Sequence, residues 1–279
     1  MTVCITNSRL VEIYEQTQSI RETGKKLGIS HETVRYKLKK LGITNKPVRY
    51  TCNDNYFQSD LPDVFYWAGF IAADGCVKLN NKKYKQLSIG LSQKDHYQVE
   101  KFKKAIDFNG PVHKITSQGY DRSEISISSA QLFDDLSRFN IVPRKSLIYM
   151  FPEWLIDHSL VNHFMRGYND GDGSFYLSLS KGRTVEQLYI ALRGTKKFLT
   201  TYKQILEQNC KLRKSDKKPR LNSGIYTLEY GGTRAVGQIR DFLYKGSDNN
   251  IRLDRKYIIS HDARFMNIPE NYRFKKQLY

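Results

Sequence analysis

Acidic side chains are scarce in this 279-residue chain: 28 Asp and Glu stand against 46 Lys and Arg, a formal net charge of +18. Such an imbalance speaks of partners rather than fold, and polyanions are the first candidates. Cysteine is scarce too. Cys4, Cys52, Cys76 and Cys210 have neither zinc-ligand spacing nor the pattern of a disulfide framework, so they read as free thiols of a reducing compartment. The six histidines are scattered and define no His-based metal site. No apolar run is long enough for a signal peptide or a membrane span, so an intracellular, cytoplasmic protein without a membrane partner is expected. Aromatics are plentiful: 19 Tyr and 14 Phe argue against disorder, and the length allows two or three domains with proper cores.

Two stretches are nearly the same: Trp67-Ala68-Gly69-Phe70-Ile71-Ala72-Ala73-Asp74-Gly75 and Met165-Arg166-Gly167-Tyr168-Asn169-Asp170-Gly171-Asp172-Gly173. Their aspartates are 172 − 74 = 98 residues apart, which indicates an internal duplication with one carboxylate per copy. Helical spacing sets Gly69 over Ala73 and Gly167 over Gly171 on one face, so two helix backbones can meet closely as a pseudo-twofold pair. Gly75 and Gly173 suit the left-handed position past a helix end. Asp74 and Asp172 then sit where the helix dipole disfavours negative charge, and across a helix pair they repel. A divalent cation reverses that balance, and hard oxygen ligands favour magnesium or calcium over zinc.

Beyond the first stretch, Leu87, Ile89 and Leu91 alternate with Gln86, Ser88, Gly90 and Ser92, as in a half-buried strand. Ile125 and Ile127 alternate with Glu124, Ser126 and Ser128. In the second copy Leu177 and Leu179 alternate with Tyr176, Ser178 and Ser180. Amphipathic helices are expected over about Asp95–Phe108 and Lys196–Asn209.

These residues resemble the LAGLIDADG homing endonuclease family in its two-copy, single-chain form, over about residues 59 to 265. The fold implied is α+β: two pseudo-symmetric ββαββα repeats forming a DNA-binding saddle. The family's catalytic acid is the eighth signature position, here Asp74 and Asp172. The sixth position departs, with Ala72 in one copy and Asp170 in the other, and Asn169 stands at a usually apolar position. The resemblance further implies metal ligation by the carbonyls of Ala73 and Gly171 beside the two aspartates. It implies a lysine near the end of each copy that stabilises the transition state, Lys145 and Lys256. It also matches Gln93 to a water-organising residue, with Thr195 as its counterpart, so unequal strand-cutting rates are expected.

Residues 1–43 read as a small all-α helix-turn-helix domain. Leu10, Ile13 and Tyr14 form one stripe after the cap candidates Asn7 and Ser8; Ser19 caps a second helix stopped by Gly28; Ser30 caps a third, with Val34, Leu38 and Leu41 inward. Its outer face carries His31, Glu32, Arg35, Lys37, Lys39 and Lys40, suited to base edges and phosphates. Residues 44–58, with Lys46 and Arg49, read as a basic linker along the phosphate backbone. The first repeat then covers 59–153 and the second 154–279, including a C-terminal tail. Base contacts are expected from outward strand faces: Lys78, Asn80, Lys82, Lys83, Tyr84 and Gln86 on one half, Tyr176, Ser178, Ser180, Arg183 and Arg193 on the other.

The expected function is site-specific hydrolysis of both strands of a long, asymmetric double-stranded DNA target by a monomer. The expected cofactor is Mg2+, with Ca2+ or Mn2+ able to occupy the same site, and the setting a bacterial or phage-infected cell or an organelle. Two other readings stand beside it: a DNA-binding regulator that kept the fold without catalysis, and an RNA-splicing maturase with intron RNA as partner.

Overall fold

The computed structural model describes residues 5–43, 50–80, 84–117, 119–179, 184–212 and 218–266. The chain divides into two units, Met1–Tyr50 and Thr51–Tyr279.

The smaller unit holds α1 (Asn7–Thr17), α2 (Ile20–Leu27) and α3 (His31–Lys40) around Leu10, Tyr14, Ile20, Val34 and Leu38. Ser19 and Ser30 cap α2 and α3 as expected, accepting from Glu22 N and Thr33 N. The cap of α1 is Thr6 rather than Asn7 or Ser8. Gly28, at φ 65°, ends α2 in the left-handed region, and α3 begins three residues later. Leu41, expected inside, is 38% exposed because it follows the last turn of α3 instead of continuing its apolar stripe.

Within the expected linker over 44–58, residues 44–49, with Lys46 and Arg49, lie outside the described residues. Its second half is no linker. Thr51 N donates to Asn109 Oδ1 at 2.8 Å and Asn53 N to Ile106 O at 2.8 Å. Tyr56 and Phe57 join the core of the larger unit, since two adjacent aromatics are worth more buried than trailing in water.

The larger unit runs α4 (Pro62–Asp74), β1 (Gly75–Asn80), β2 (Tyr84–Ser92), α5 (His96–Ala105), β3 (His113–Ser117), β4 (Tyr120–Ile127) and α6 (Ala130–Asp135). It then repeats as α7 (Val161–Asp172), β5 (Gly173–Ser178), β6 (Gln187–Gly194), α8 (Lys196–Asn209), β7 (Arg220–Asn222), β8 (Ile225–Gly231) and α9 (Thr233–Tyr244), closed by α10 (Asp254–Ser260). Two antiparallel four-stranded sheets result, ordered β1-β2-β4-β3 and β5-β6-β8-β7. One apolar core serves both repeats. The helix expected from Asp95 starts with a 3-10 turn (Gln93–Asp95) and ends at Ala105. Strand β5 ends at Ser178, so Leu179 lies beyond it and is exposed.

Helix α4 is buried all round from Val64 to Ala72, as befits an element packed on every side. It packs on α7 through the two glycines: a Cβ on Gly69 would overlap the Phe164 carbonyl, and one on Gly167 the Tyr66 carbonyl. The left-handed conformation expected of Gly75 and Gly173 is absent. Both are extended, φ −79° and −95°, because β1 and β5 start there without a loop. Glycine is required instead by close approach. A Cβ on Gly75 would stand 2.6 Å from Ile71 Cγ2, and one on Gly173 would overlap Asn169 Oδ1.

Candidate active site

Asp74 and Asp172 are the last residues of the paired helices α4 and α7. The Asp74 Cγ lies 3.5 Å from where a Cβ on Gly171 would stand, so the two helix ends share one locality. Asp74 presents an edge to solvent and Asp172 is half-buried, yet protein surrounds most of both carboxyl groups. That crowding, then the charge of Asp172, pushes the Asp74 carboxyl up to about 6. Crowding raises Asp172 as well, against the pull of Lys145, Lys256 and Arg193. Two carboxylates held together at helix C-termini resist ionisation in just this way.

Two buried lysines approach the same place. Lys145, on the 3-10 turn Lys145–Leu147, donates to Gly75 O at 2.6 Å. Burial lowers its proton affinity, and Asp172, Cys76 and Asp74 partly restore it. Lys256, on α10, donates to Asn169 O (2.9 Å), Asp170 O (2.6 Å), Gly171 O (3.0 Å) and Gly173 O (2.5 Å). Burial pushes it down to about 8.

Gln93 is half-buried just past β2. Its Oε1 accepts from Ser123 Oγ at 2.9 Å, and that hydroxyl lies 2.9 Å from His96 Nδ1. Thr195 is not its structural counterpart. Gly75 pairs with Ile89 and Gly173 with Leu192, so the registers align Gln93 with Lys196 and Ser92 with Thr195. The Thr195 hydroxyl donates to Tyr149 O and caps α8 at Phe198 N.

Other polar residues of the second signature had no visible partners in the sequence. Asp170 accepts from Tyr66 Oη (2.9 Å) and Leu253 N (2.7 Å), and Gln98 Nε2 donates to Tyr66 Oη at 2.6 Å. Arg166, fully buried, donates to Ile251 O and Leu243 O at 2.8 and 2.7 Å and lies 2.8 Å from His163 Nδ1. The Tyr168 hydroxyl donates to Arg193 O at 2.9 Å. The signal for Arg166 and Asp170 was their separation of four, which sets them on one helix face, about 100° round the axis from the glycines. α10 is fixed to the first repeat by Arg255 Nε on Asp95 Oδ1 (2.8 Å) and by Lys101 Nζ on Asp254 Oδ2 (3.0 Å).

The registers place the expected base readers together. Lys78 is opposite Gln86, and with Tyr84 they lie on the face away from Leu87 and Ile89; Asn80 is paired with Tyr84 in the backbone register. Tyr176 is opposite Tyr189 and Ser178 opposite Gln187, on the face that also bears Arg193 and Thr227. Lys82, Lys83, Ser180 and Arg183 lie outside the described residues. Two acids on these faces went unread: Glu124, bridged to Arg122 at 2.9 Å, and Glu229, which accepts from Tyr176 Oη at 2.9 Å. In the smaller unit His31, Glu32, Arg35 and Lys39 are exposed on α3. Glu32 is bound to Arg35 at 3.0 Å, and half-buried Lys37 reaches Ile5 O at 3.4 Å.

Among the described residues no group of three or more His, Cys, Asp or Glu side chains is placed to hold a metal ion, and no helix is long and apolar enough to cross a membrane.

A duplicated ββαββα unit whose paired helices end in acidic residues defines a two-repeat LAGLIDADG-type fold. A solved structure has the same fold. The chain is similar to the LAGLIDADG meganuclease I-AabMI bound to uncleaved DNA, at 14% identity and TM-score 0.51, over 72% of this chain and 88% of that one. It is also similar to the I-LtrWI LAGLIDADG homing endonuclease bound to target DNA (11%, TM-score 0.49, 75% and 90%) and to the meganuclease I-CpaMI bound to uncleaved DNA (15%, 0.47, 68% and 86%). The architecture is therefore that of the LAGLIDADG homing endonucleases, with both repeats on one chain. No protein-family model and no curated protein matches the sequence.

Proposed function

We propose that this protein is a divalent-metal-dependent endonuclease that hydrolyses both strands of a long, asymmetric DNA target, acting as a monomer. One observation carries the reading: two carboxylates brought together at the ends of tightly paired helices, with two buried ammonium groups beside them. That arrangement costs stability unless a cation and a polyanion are its purpose.

The donor set fits magnesium. Asp74, Asp172 and the carbonyls of Ala73 and Gly171 are hard oxygens, and two carboxylates do not make a complete cage. Mg2+ is characteristically held by one or two carboxylates together with water and substrate phosphate oxygens; Ca2+ takes the same class of donor. Bound there, the metal would supply an activated water and neutralise charge on the phosphate. The chain's own residues do the rest. Asp74 and Asp172 hold their positions because α4 and α7 cannot slide past the glycine contacts. The lysines keep positive charge beside the phosphate, where it is worth most in the transition state. Gln93, with Oε1 engaged by Ser123, keeps its amide N–H groups for a water.

The outward sheet faces supply Lys78, Asn80, Tyr84, Gln86, Tyr176, Ser178 and Arg193 to base edges. The smaller unit, read as a helix-turn-helix, supplies His31, Arg35 and Lys39. A net charge of +18 favours the phosphate backbone throughout.

The test is plasmid cleavage with a target selected from random duplexes. Asp74→Asn and Asp172→Asn should each bind that target as the unaltered protein does and lose at least one strand cut. Complete duplex cleavage by either purified variant overturns the assignment.

A further inference from the structure

Lone cations on a basic face suit a phosphate backbone, but the outward face of the first sheet also carries a matched pair of charges. Glu124 is opposite Gly90 and Arg122 opposite Ser92. Both point outward, because the Leu91–Ser123 pair between them is buried against the core. Arg122 Nη2 lies 2.9 Å from Glu124 Oε2, and Ser126 Oγ donates to Glu124 Oε1 at 3.4 Å. The residue across from the acid leaves it room: a Cβ on Gly90 would stand 3.2 Å from Glu124 Oε2. The neighbouring outward positions are small, with Ser88 opposite both Cys76 and Ser126. The pair therefore rises from a low floor.

Neither stability nor phosphate binding accounts for it. A partly exposed ion pair adds little to folding, and an acid turned toward a polyanion is repelled by it. The edge of a base carries no net charge, so the acid costs nothing there. A guanidinium has five N–H donors in a rigid fork. With one arm held by Glu124, the fork keeps donors for two acceptors side by side, and guanine presents O6 and N7 in that way in the major groove. The second sheet has no such pair at this place. Its registers set Arg193 where Gly90 stands and Thr227 where Glu124 stands.

We propose that Arg122 reads one guanine in the target and that Glu124 is the positioning residue that aims it, an inference that rests on the endonuclease reading above. The device belongs to the first sheet, so it specifies a single G·C pair in one half of the target.

The test is selection of bound sequences from random duplexes with Ca2+ in place of Mg2+, followed by affinity measurements on the selected duplex. The unaltered protein should prefer G·C at one position by about tenfold or more, and Arg122→Ala should lose that preference alone. A 7-deazaguanine at that position, which lacks N7, should weaken the unaltered protein by about tenfold and leave Arg122→Ala unaffected. Glu124→Gln keeps the side chain's size and removes its charge. It should lose most of the preference yet bind an unrelated duplex more tightly, a split that a merely structural role would not produce. Arg122→Ala selections identical to those of the unaltered protein overturn the proposal. So does a Glu124→Gln protein that keeps the full preference, or one that binds every duplex more weakly. Neither side chain is buried, so both variants should keep their Tm; should Glu124→Gln not fold, Arg122→Ala and the 7-deazaguanine duplex decide alone. If the preference is found and Mg2+ brings no cleavage, the endonuclease reading fails and the guanine reader stands. If Mg2+ brings cleavage and the Arg122→Ala selections are unchanged, only the guanine reader fails.

Discussion

His163 shows how one residue of the second signature helix sets a pH limit. It is buried, its Nδ1 lies 2.8 Å from Arg166 Nη2, and burial with the nearby guanidinium pushes it down to about 4. Its ordinary value is near 6.5, so between about 6.5 and about 4 the unfolded chain takes up a proton that the folded one refuses. Stability should therefore fall as pH drops through that window and be fully restored above it. His163→Gln keeps an acceptor for Arg166 and removes the titration; urea unfolding at pH 7 and pH 4.5 should show a smaller difference for the variant. Asn169 belongs to the same group of signature residues. Both its polar side-chain atoms are buried and unpartnered among the described residues, at the place Ile71 fills in the first copy. Its oddity was legible as a polar residue on an apolar face, whereas the network around Arg166 and Asp170 was not. Their partners Leu243, Ile251 and Leu253 are about 80 residues away, and no local spacing predicts a bond to a distant carbonyl.

At the level of elements, the seam between α4 and α7 was readable because glycine spacing is a local property. Its tightness is the feature most open to test. A methyl on Gly167 would overlap Tyr66 O and come within 2.8 Å of Phe70 N, both backbone atoms that cannot rotate aside. Gly167→Ala should cost about 2–3 kcal/mol in chemical unfolding. It should also slow both strand cuts by about 100-fold, because the displacement falls on the aspartates themselves. A variant that loses stability and cuts normally would show that the seam is packing alone. The glycines after the aspartates were misread for an instructive reason. A helix followed by Asp-Gly usually turns, but here a strand begins at once, and a side chain from one turn earlier occupies the space of the missing Cβ.

For the molecule as a whole, the two units have separate cores, and the boundary at Tyr50 explains why composition misplaced it. Basic and polar residues run on to Asp54, but the anchoring aromatics Tyr56 and Phe57 follow immediately. A protein comprising residues 51–279 should keep the thermal transition of the larger core and still cut at saturating concentration. Its affinity should fall, and the slope of log affinity against log salt should shrink by about 0.9 for each phosphate contact removed. An unchanged slope would mean that the first fifty residues do not touch the DNA backbone.

On the proposed endonuclease reading, the direct passage of α4 into β1, and of α7 into β5, would bear on fidelity. With no intervening loop to absorb movement, each acid and the strand after it form one stiff lever. If these strands read a groove, seating the ribbon on the right base sequence would align the carboxyl group, and a poorly matched duplex that tilts the ribbon would swing it out of line. Discrimination would then be exercised twice by the same few residues, at docking and again at the bond-breaking step, and near-cognate sites would be held for a time and released intact.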